Sequence, residues 1–237
     1  MNLTDREQNV FLARLSGQAG RYGRTKDYIK KILETGVELN AEEQKLMSFA
    51  FSKLEHALRD SWHVVRTHEQ DEEKKSDGGN AEIIAKYRAD IEQELEALCD
   101  EVIGLVKNNI TLNATTDETR IFCLKMTGDY NRYIAECATG ERRAARLEAA
   151  NEAYNAAVKF AQDKFDGGNP HRLSVIVNAA VFYHDYMNKK EYAIDMIESE
   201  VASTAEKFGD VPEDQETRAI MGILVANMEM WKAVDDH

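Results

Sequence analysis

The sequence predicts an all-α protein of about nine antiparallel helices, and three observations carry that expectation. Only 2 prolines interrupt 237 residues, whereas an all-β sandwich needs a turn every ~8–12 residues. Apolar residues recur at helical spacing nearly end to end. No stretch alternates apolar and polar residues for long enough to require a strand. At roughly 100–200 residues per domain, the chain is one large domain or two small ones.

A first helix is expected from about Asp5 to Ala19, giving way in the glycine-rich stretch Gly17 to Gly23. The second runs from about Tyr22 to Glu34 and stops at Thr35-Gly36, a C-cap pair. Asn40 with Glu43 three residues on forms a capping box that opens a long third helix towards His68. The polar run Asp71 to Asn80 reads as a loop, and a fourth helix follows to about Lys107. NNITLNATT reads as the next break, before a fifth helix from about Asp117 to Ala138. Thr139-Gly140 turns the chain into a sixth, which ends near Phe165. Gly-Gly closes that helix, Asn169 caps the next and Pro170 starts it. This seventh helix, HRLSVIVNAAVFYHDYMN, is apolar almost all round and so is expected to be central. The eighth ends around Phe208-Gly209, and Pro212 marks the start of the last, which closes near Trp231.

Charge and composition exclude several functions. Lys and Arg total 30 against 43 Asp and Glu, a net charge of −13. Counterion release from phosphates drives non-specific nucleic-acid binding, and this balance has the opposite sign. An anionic membrane surface would repel the chain as well, and no apolar run approaches the ~20 residues of a membrane span. Cys99, Cys123 and Cys137 are an odd count without C-x-x-C spacing, which suits reduced packing thiols in a cytoplasmic protein. His56, His63 and His68 lie seven and five residues apart, which makes no tight helical ligand pair, so no metal or other cofactor is expected. GQAGRYG, Gly17 to Gly23, follows no strand and reads as a helix junction rather than a nucleotide loop. No histidine can be placed beside a cysteine, and no motif supports an enzyme.

Three segments carry a different signal. Around Arg59 the chain reads FSKLEHALRDSWHVVRTHEQ; around Arg132, LKMTGDYNRYIAE; around Asn178, NPHRLSVIVNAAVFYHDYMN. On the fifth helix Asp129 precedes Arg132 and Tyr133 by three and four residues, and Lys125 lies four before Asp129, all within reach of one another. Planar guanidiniums with a phenol suit a tetrahedral dianion, because arginine engages phosphate oxygens bidentately. Val177, Asn178, Val181 and Asp185 share one helical face, as do Ile220, Ile223, Asn227 and Met230 on the last helix, with Trp231 beside them.

These three blocks, in colinear order from about Leu15 to Trp231, resemble the 14-3-3 family. The resemblance implies a single domain over residues 1–237, a cup-shaped bundle bearing a groove. It implies a phosphoserine- and phosphothreonine-dependent adaptor for phosphorylated client proteins, with Arg59, Arg132 and Tyr133 binding phosphate. Ser52, Lys125, Asp129, Val177, Asn178, Val181, Asp185, Ile220, Ile223, Asn227, Met230 and Trp231 would line the peptide groove. The two asparagines would hold the peptide main chain. The competing expectation is a tetratricopeptide-like scaffold that reads unmodified segments, which the rhythm of GRYGRTKDYIKKILETG would suit.

Departures from the family pattern matter. Ser52 stands where the family carries a lysine, His63 where it carries an arginine, and Ala219 where it carries a leucine. The resemblance also implies a homodimer that pairs the first helices of one copy with the fourth helix of the other. Leu15, Ser61 and Tyr87 would lie there, and Arg21 and Glu94 match a family bridge. At a second bridge the signs are exchanged, with Arg24 in the acidic position and Asp90 in the basic one.

Overall fold

The computed structural model describes residues 4–75, 79–208 and 214–235. Among them are nine long helices and no strand: α1 (Asp5–Gln18), α2 (Tyr22–Leu33), α3 (Ala41–Glu73), α4 (Ala81–Leu105), α5 (Asp117–Cys137), α6 (Gly140–Lys164), α7 (Pro170–Asp185), α8 (Lys190–Phe208) and α9 (Gln215–Asp235). Pro212 and Gly209, read above as punctuation between the last two helices, lie outside the described residues.

The caps read at Asn40, Thr35-Gly36 and Asn169-Pro170 form, and Thr4 adds one that the sequence reading lacks. Asn40 Oδ1 accepts from the Glu43 backbone N–H at 3.0 Å, and Glu43 returns the bond to the Asn40 N–H at 3.0 Å. Thr4 and Glu7 form a second capping box ahead of α1. Gly36 sits at φ 67° just past α2, a backbone region that a side chain disfavours. Asn169 accepts from the His171 N–H at 2.9 Å with Pro170 in the first turn of α7.

Three boundaries differ from the sequence expectation, the last helix running on to Asp235 rather than closing near Trp231. α3 runs on to Glu73 rather than stopping near His68. Glu69 is buried there and takes Arg88 of α4 at 2.6 Å and Arg66 at 2.9 Å, so this end of α3 is held against α4. NNITLNATT is not a break from its first residue. α4 passes into a π turn, Val106–Ile110, and a last helical turn, Thr111–Asn113. The widened turn keeps Val106 and Ile110 both in the core, each 2% exposed. The break comes at Ala114–Thr116, where Thr116 Oγ1 caps α5 by accepting from the Thr119 N–H at 3.2 Å.

The described residues form two compact units, one from Met1–Thr115 and Tyr133–Arg146, the other from Thr116–Arg132 and Leu147–His237. In the first, α1 packs on α2, α2 on α3 and α3 on α4, in sequence order across short connections. Its core includes Ile29, Ile32, Met47, Phe51, Leu95 and Val102. Arg6 ties α1 to the start of α3 through Glu43 at 2.7 Å. In the second unit, α7 packs against both α8 and α9. Leu173, Ile176, Phe182 and Tyr183 of α7 are buried, as the all-round apolar pattern predicts. Among the described residues, no helix is long and apolar enough to cross a membrane.

Candidate functional site

In the first unit, α3 sets Ser52, Glu55, His56, Arg59 and His63 at intervals of three, four and seven residues, so they share one side of the helix. Arg59 is held from two directions. Its Nη1 donates to Glu55 Oε1 at 2.9 Å, and its Nε donates to Glu136 Oε2 at 2.7 Å. The guanidinium lies over the Tyr133 ring, 5.0 Å from its centre. Glu55 is fully buried. Burial pushes its carboxyl above the usual carboxylate range, against the opposing pull of Arg59 and His56. Ser52 is half-buried and its hydroxyl meets His56 Nδ1 at 3.3 Å.

In the second unit the matching arginine belongs to a denser network. Lys125 reaches Asp129 at 2.8 Å, one turn along α5. Arg132 lies 3.6 Å from the same carboxylate, and its Nε donates to the Tyr154 hydroxyl at 3.1 Å. The Tyr154 hydroxyl in turn donates to Asp129 at 2.5 Å. Gly128 makes that approach possible: a Cβ there would lie 2.8 Å from the Tyr154 ring. Burial would push the Asp129 carboxyl up, but the charges of Lys125 and Arg132, with the bonds from Lys125 and Tyr154, hold it below its ordinary value. Asn178 of α7 donates its amide to both Asp129 oxygens, at 2.8 and 2.9 Å. The donor side of Asn178 is thus taken up by Asp129, whereas a role in holding a peptide main chain calls on donor and acceptor alike.

The remaining expected groove residues lie on α7 and α9 of the second unit. Val177, Asn178 and Val181 are half-buried and Asp185 exposed, on a helix that otherwise buries most of its length. On α9, Ile220 and Asn227 are half-buried, while Ile223 and Met230 are 50% and 56% exposed. Trp231 is buried and stacks on His184, ring centres 4.1 Å apart, and His184 Nδ1 meets Asp185 at 2.6 Å. The tryptophan thus packs inward between α9 and α7, and its neighbour Met230 is exposed.

The residues expected at a dimer interface are in the first unit and open to solvent. Leu15 and Tyr87 are more than half exposed. Arg21, Asp90 and Glu94 carry no ion pair to another helix among those described, and Arg24 pairs loosely with Asp27 of its own helix at 3.7 Å. Ser61 is exposed and donates to the Ala57 carbonyl at 2.7 Å.

Glu55, Glu136 and Tyr154 were not among the expected site residues. Glu55 had a signal, since it lies four residues before Arg59. Glu136 closes the block LKMTGDYNRYIAE, four residues after Arg132, but its partner Arg59 lies on another helix; Tyr154 comes from α6, and no local spacing announces it.

A family model described as 14-3-3 protein matches residues 12–232. The chain belongs to the 14-3-3 family. It is 34% identical over 233 residues to the checkpoint signal transducer rad24 of Schizosaccharomyces pombe, covering 98% of this chain and 86% of that one. It is 34% identical to 14-3-3 protein 3 of Entamoeba histolytica over 228 residues, 95% of each chain. With 14-3-3 protein epsilon of Drosophila melanogaster it shares 33% over 231 residues, 97% of this chain and 88% of the relative. The 14-3-3 match spans both compact units.

Proposed function

We propose that this 14-3-3 chain is a phosphoserine- and phosphothreonine-dependent adaptor, not an enzyme. It would bind phosphorylated segments of client proteins as a homodimer in the cytoplasm, with both units acting as one domain. The observation that carries the reading is that Arg59 and Arg132 are each held by buried carboxylates. Such pairing orders a guanidinium before a ligand arrives, which lowers the entropy cost of engaging phosphate oxygens. Tyr133, beneath Arg59, supports the same role. The half-exposed aliphatics Ile223 and Met230 suit the side chains of an extended peptide. Three buried, free cysteines are consistent with a reducing compartment. Two grooves in a dimer would raise affinity for doubly phosphorylated clients by ~10²–10⁴-fold where both sites reach.

The test is a titration of one peptide in phosphorylated and unphosphorylated form. The phosphorylated form is expected to bind far more tightly. Equal affinities would overturn the reading in favour of a scaffold that recognises unmodified segments.

A further inference from the structure

Each of the two carboxylates that hold Arg59 also faces a histidine. Glu55 Oε1 takes Arg59, while its Oε2, buried and without a well-formed hydrogen bond, lies 2.7 Å from His56 Nδ1, which itself donates to the Ser52 carbonyl at 2.8 Å. Glu136 Oε2 takes Arg59, and its Oε1 lies 3.1 Å from His63 Nε2. All five side chains belong to α3 and the end of α5 within one unit. With both imidazoles neutral, one guanidinium faces two carboxylates and the local balance is negative. The pairing orders the guanidinium but offsets its pull on an anion. Protonating both histidines makes three cations against two carboxylates.

The other groups facing this cluster do not offset the change. From α4, Glu92 is bound to Arg88 and to the Trp62 indole, and Cys99 is buried. From α5, burial pushes the Cys137 thiol up to about 12. Burial raises the Cys99 thiol as well, so both stay neutral near pH 7. α1 and α2 send their cations elsewhere, Arg6 and Arg14 to Glu43 and Glu42, Lys26 and Lys30 to Glu101. On α3 itself, Lys53 lies over the Phe49 ring. His56 and His63 are 57% and 55% exposed, so both rings are open to water.

We propose that His56 and His63 are positioning residues of the Arg59 clamp. Protonation adds positive charge beside Glu55 and Glu136 without changing these contacts, so the two carboxylates offset less of the Arg59 charge and more of it is open to an anionic ligand. Binding of a phosphorylated segment at Arg59 is thereby linked to proton uptake. The proposal rests on the reading of Arg59 as a phosphate clamp. Glu55 acts in the same direction, because a proton on its buried carboxyl also uncovers Arg59. By linkage, a ligand that favours the imidazolium forms must raise the histidine pKa values when it binds.

The experiment measures affinity of the full chain and of the His56→Gln/His63→Gln variant for one phosphoserine peptide between pH 7.5 and 5.5. The phosphate loses its second charge near pH ~6, but that loss is common to both proteins, so the ratio of their affinities isolates the histidines. Acidification is expected to shift the ratio at least about threefold in favour of the native chain. The variant keeps Glu55, so its affinity is expected to follow only the phosphate and that one carboxyl, without the histidines' contribution. A ratio that stays constant overturns the proposal. Proton NMR of the His56 and His63 rings in the native chain provides a second measurement, independent of the variant. Their pKa values should rise when the peptide binds, and unmoved values overturn the proposal too. Phosphate-dependent binding at pH 7.5 with a flat ratio leaves the adaptor reading intact and removes only this one. Binding indifferent to phosphorylation at every pH removes the role of Arg59 and the histidine linkage together.

Discussion

Arg59 and Asp129 show how a single buried carboxylate changes what a substitution tests. The sequence alone suggests that Arg59→Ala removes a ligand contact and leaves the fold untouched. With Glu55 fully buried beneath it, the same change strands a carboxylate. Its expected cost is about 3 kcal/mol, the low end for breaking a buried pair, because Glu136 and solvent already share the guanidinium. Urea unfolding should show that loss, and Arg59→Ala/Glu55→Val should recover most of it while still failing to bind phosphopeptide. Recovery of binding in the double variant would place the phosphate elsewhere. Asp129 and Glu55 are shifted in opposite directions, so they respond oppositely to pH. Asp129 is depressed, so its stabilisation is present above the ordinary carboxylate value and is lost as pH falls through the lower, folded one. Glu55 is raised, so its cost builds as pH climbs above the ordinary value. Asp129→Asn is therefore expected to lower the urea midpoint at pH 7 and to shrink the difference between pH 7 and pH 3. An unchanged difference would mean that Asp129 is not the group titrating. Ser52→Lys restores a cation seven residues before Arg59 and three before Glu55. It should tighten phosphopeptide binding by up to ~10-fold, the order of one charged contact. Unchanged affinity would mean that His56, beside Ser52, already fills the gap.

Helices announce themselves through caps, and their partners do not. Asn40–Glu43, Asn169–Pro170 and Thr35-Gly36 are each read from a few adjacent residues, and each forms as read. The ends of α3 and α4 are not local matters. Glu69 holds the end of α3 against α4 by binding Arg88, nineteen residues on, and Val106 with Ile110 carries α4 past its asparagines by being buried. The candidate site divides along the same line. Lys125, Asp129 and Arg132 are one turn apart and legible from spacing. Tyr154, which joins Asp129 to Arg132, is legible only once Gly128 is seen beneath its ring. Gly128→Ala is expected to push Tyr154 off both partners, because the added methyl would lie within 2.8 Å of the ring. It should cost stability and weaken phosphopeptide binding together, whereas Gly104→Ala, which meets nothing within 4 Å, serves as the control. Equal effects of the two changes would show that the close approach at Gly128 is unimportant.

At the scale of the whole molecule, the exposed apolar surface of the first unit argues about assembly. Phe11 and Leu15 are 54% and 51% exposed on α1, four residues apart, and Ile83 and Tyr87 are 68% and 60% exposed on α4, again four apart. Two such pairs on separate helices are the kind of surface that a partner covers. They are also the helices that the 14-3-3 resemblance assigns to the dimer, although the sequence reading named only Leu15 and Tyr87. The exchanged bridge tests the register. Arg24 has only a loose partner at 3.7 Å in its own helix, so Arg24→Asp should leave the isolated chain almost as stable, the pair being worth ~0.5 kcal/mol or less. In a homodimer the substitution would instead set a carboxylate against Asp90 of the second copy, and adding Asp90→Lys would restore opposite signs. Ser61→Glu adds a carboxylate next to Asp60 and should loosen the dimer by repulsion and desolvation acting together. Sedimentation equilibrium on the native chain and these three variants is expected to show a micromolar or tighter homodimer, weakened by Arg24→Asp and by Ser61→Glu, and partly restored by the double change. A native chain that is monomeric at micromolar concentration would remove the interface from α1 and α4. A double change no better than the single one would leave the dimer standing and make the exchanged charges at Arg24 and Asp90 a coincidence of two surface positions.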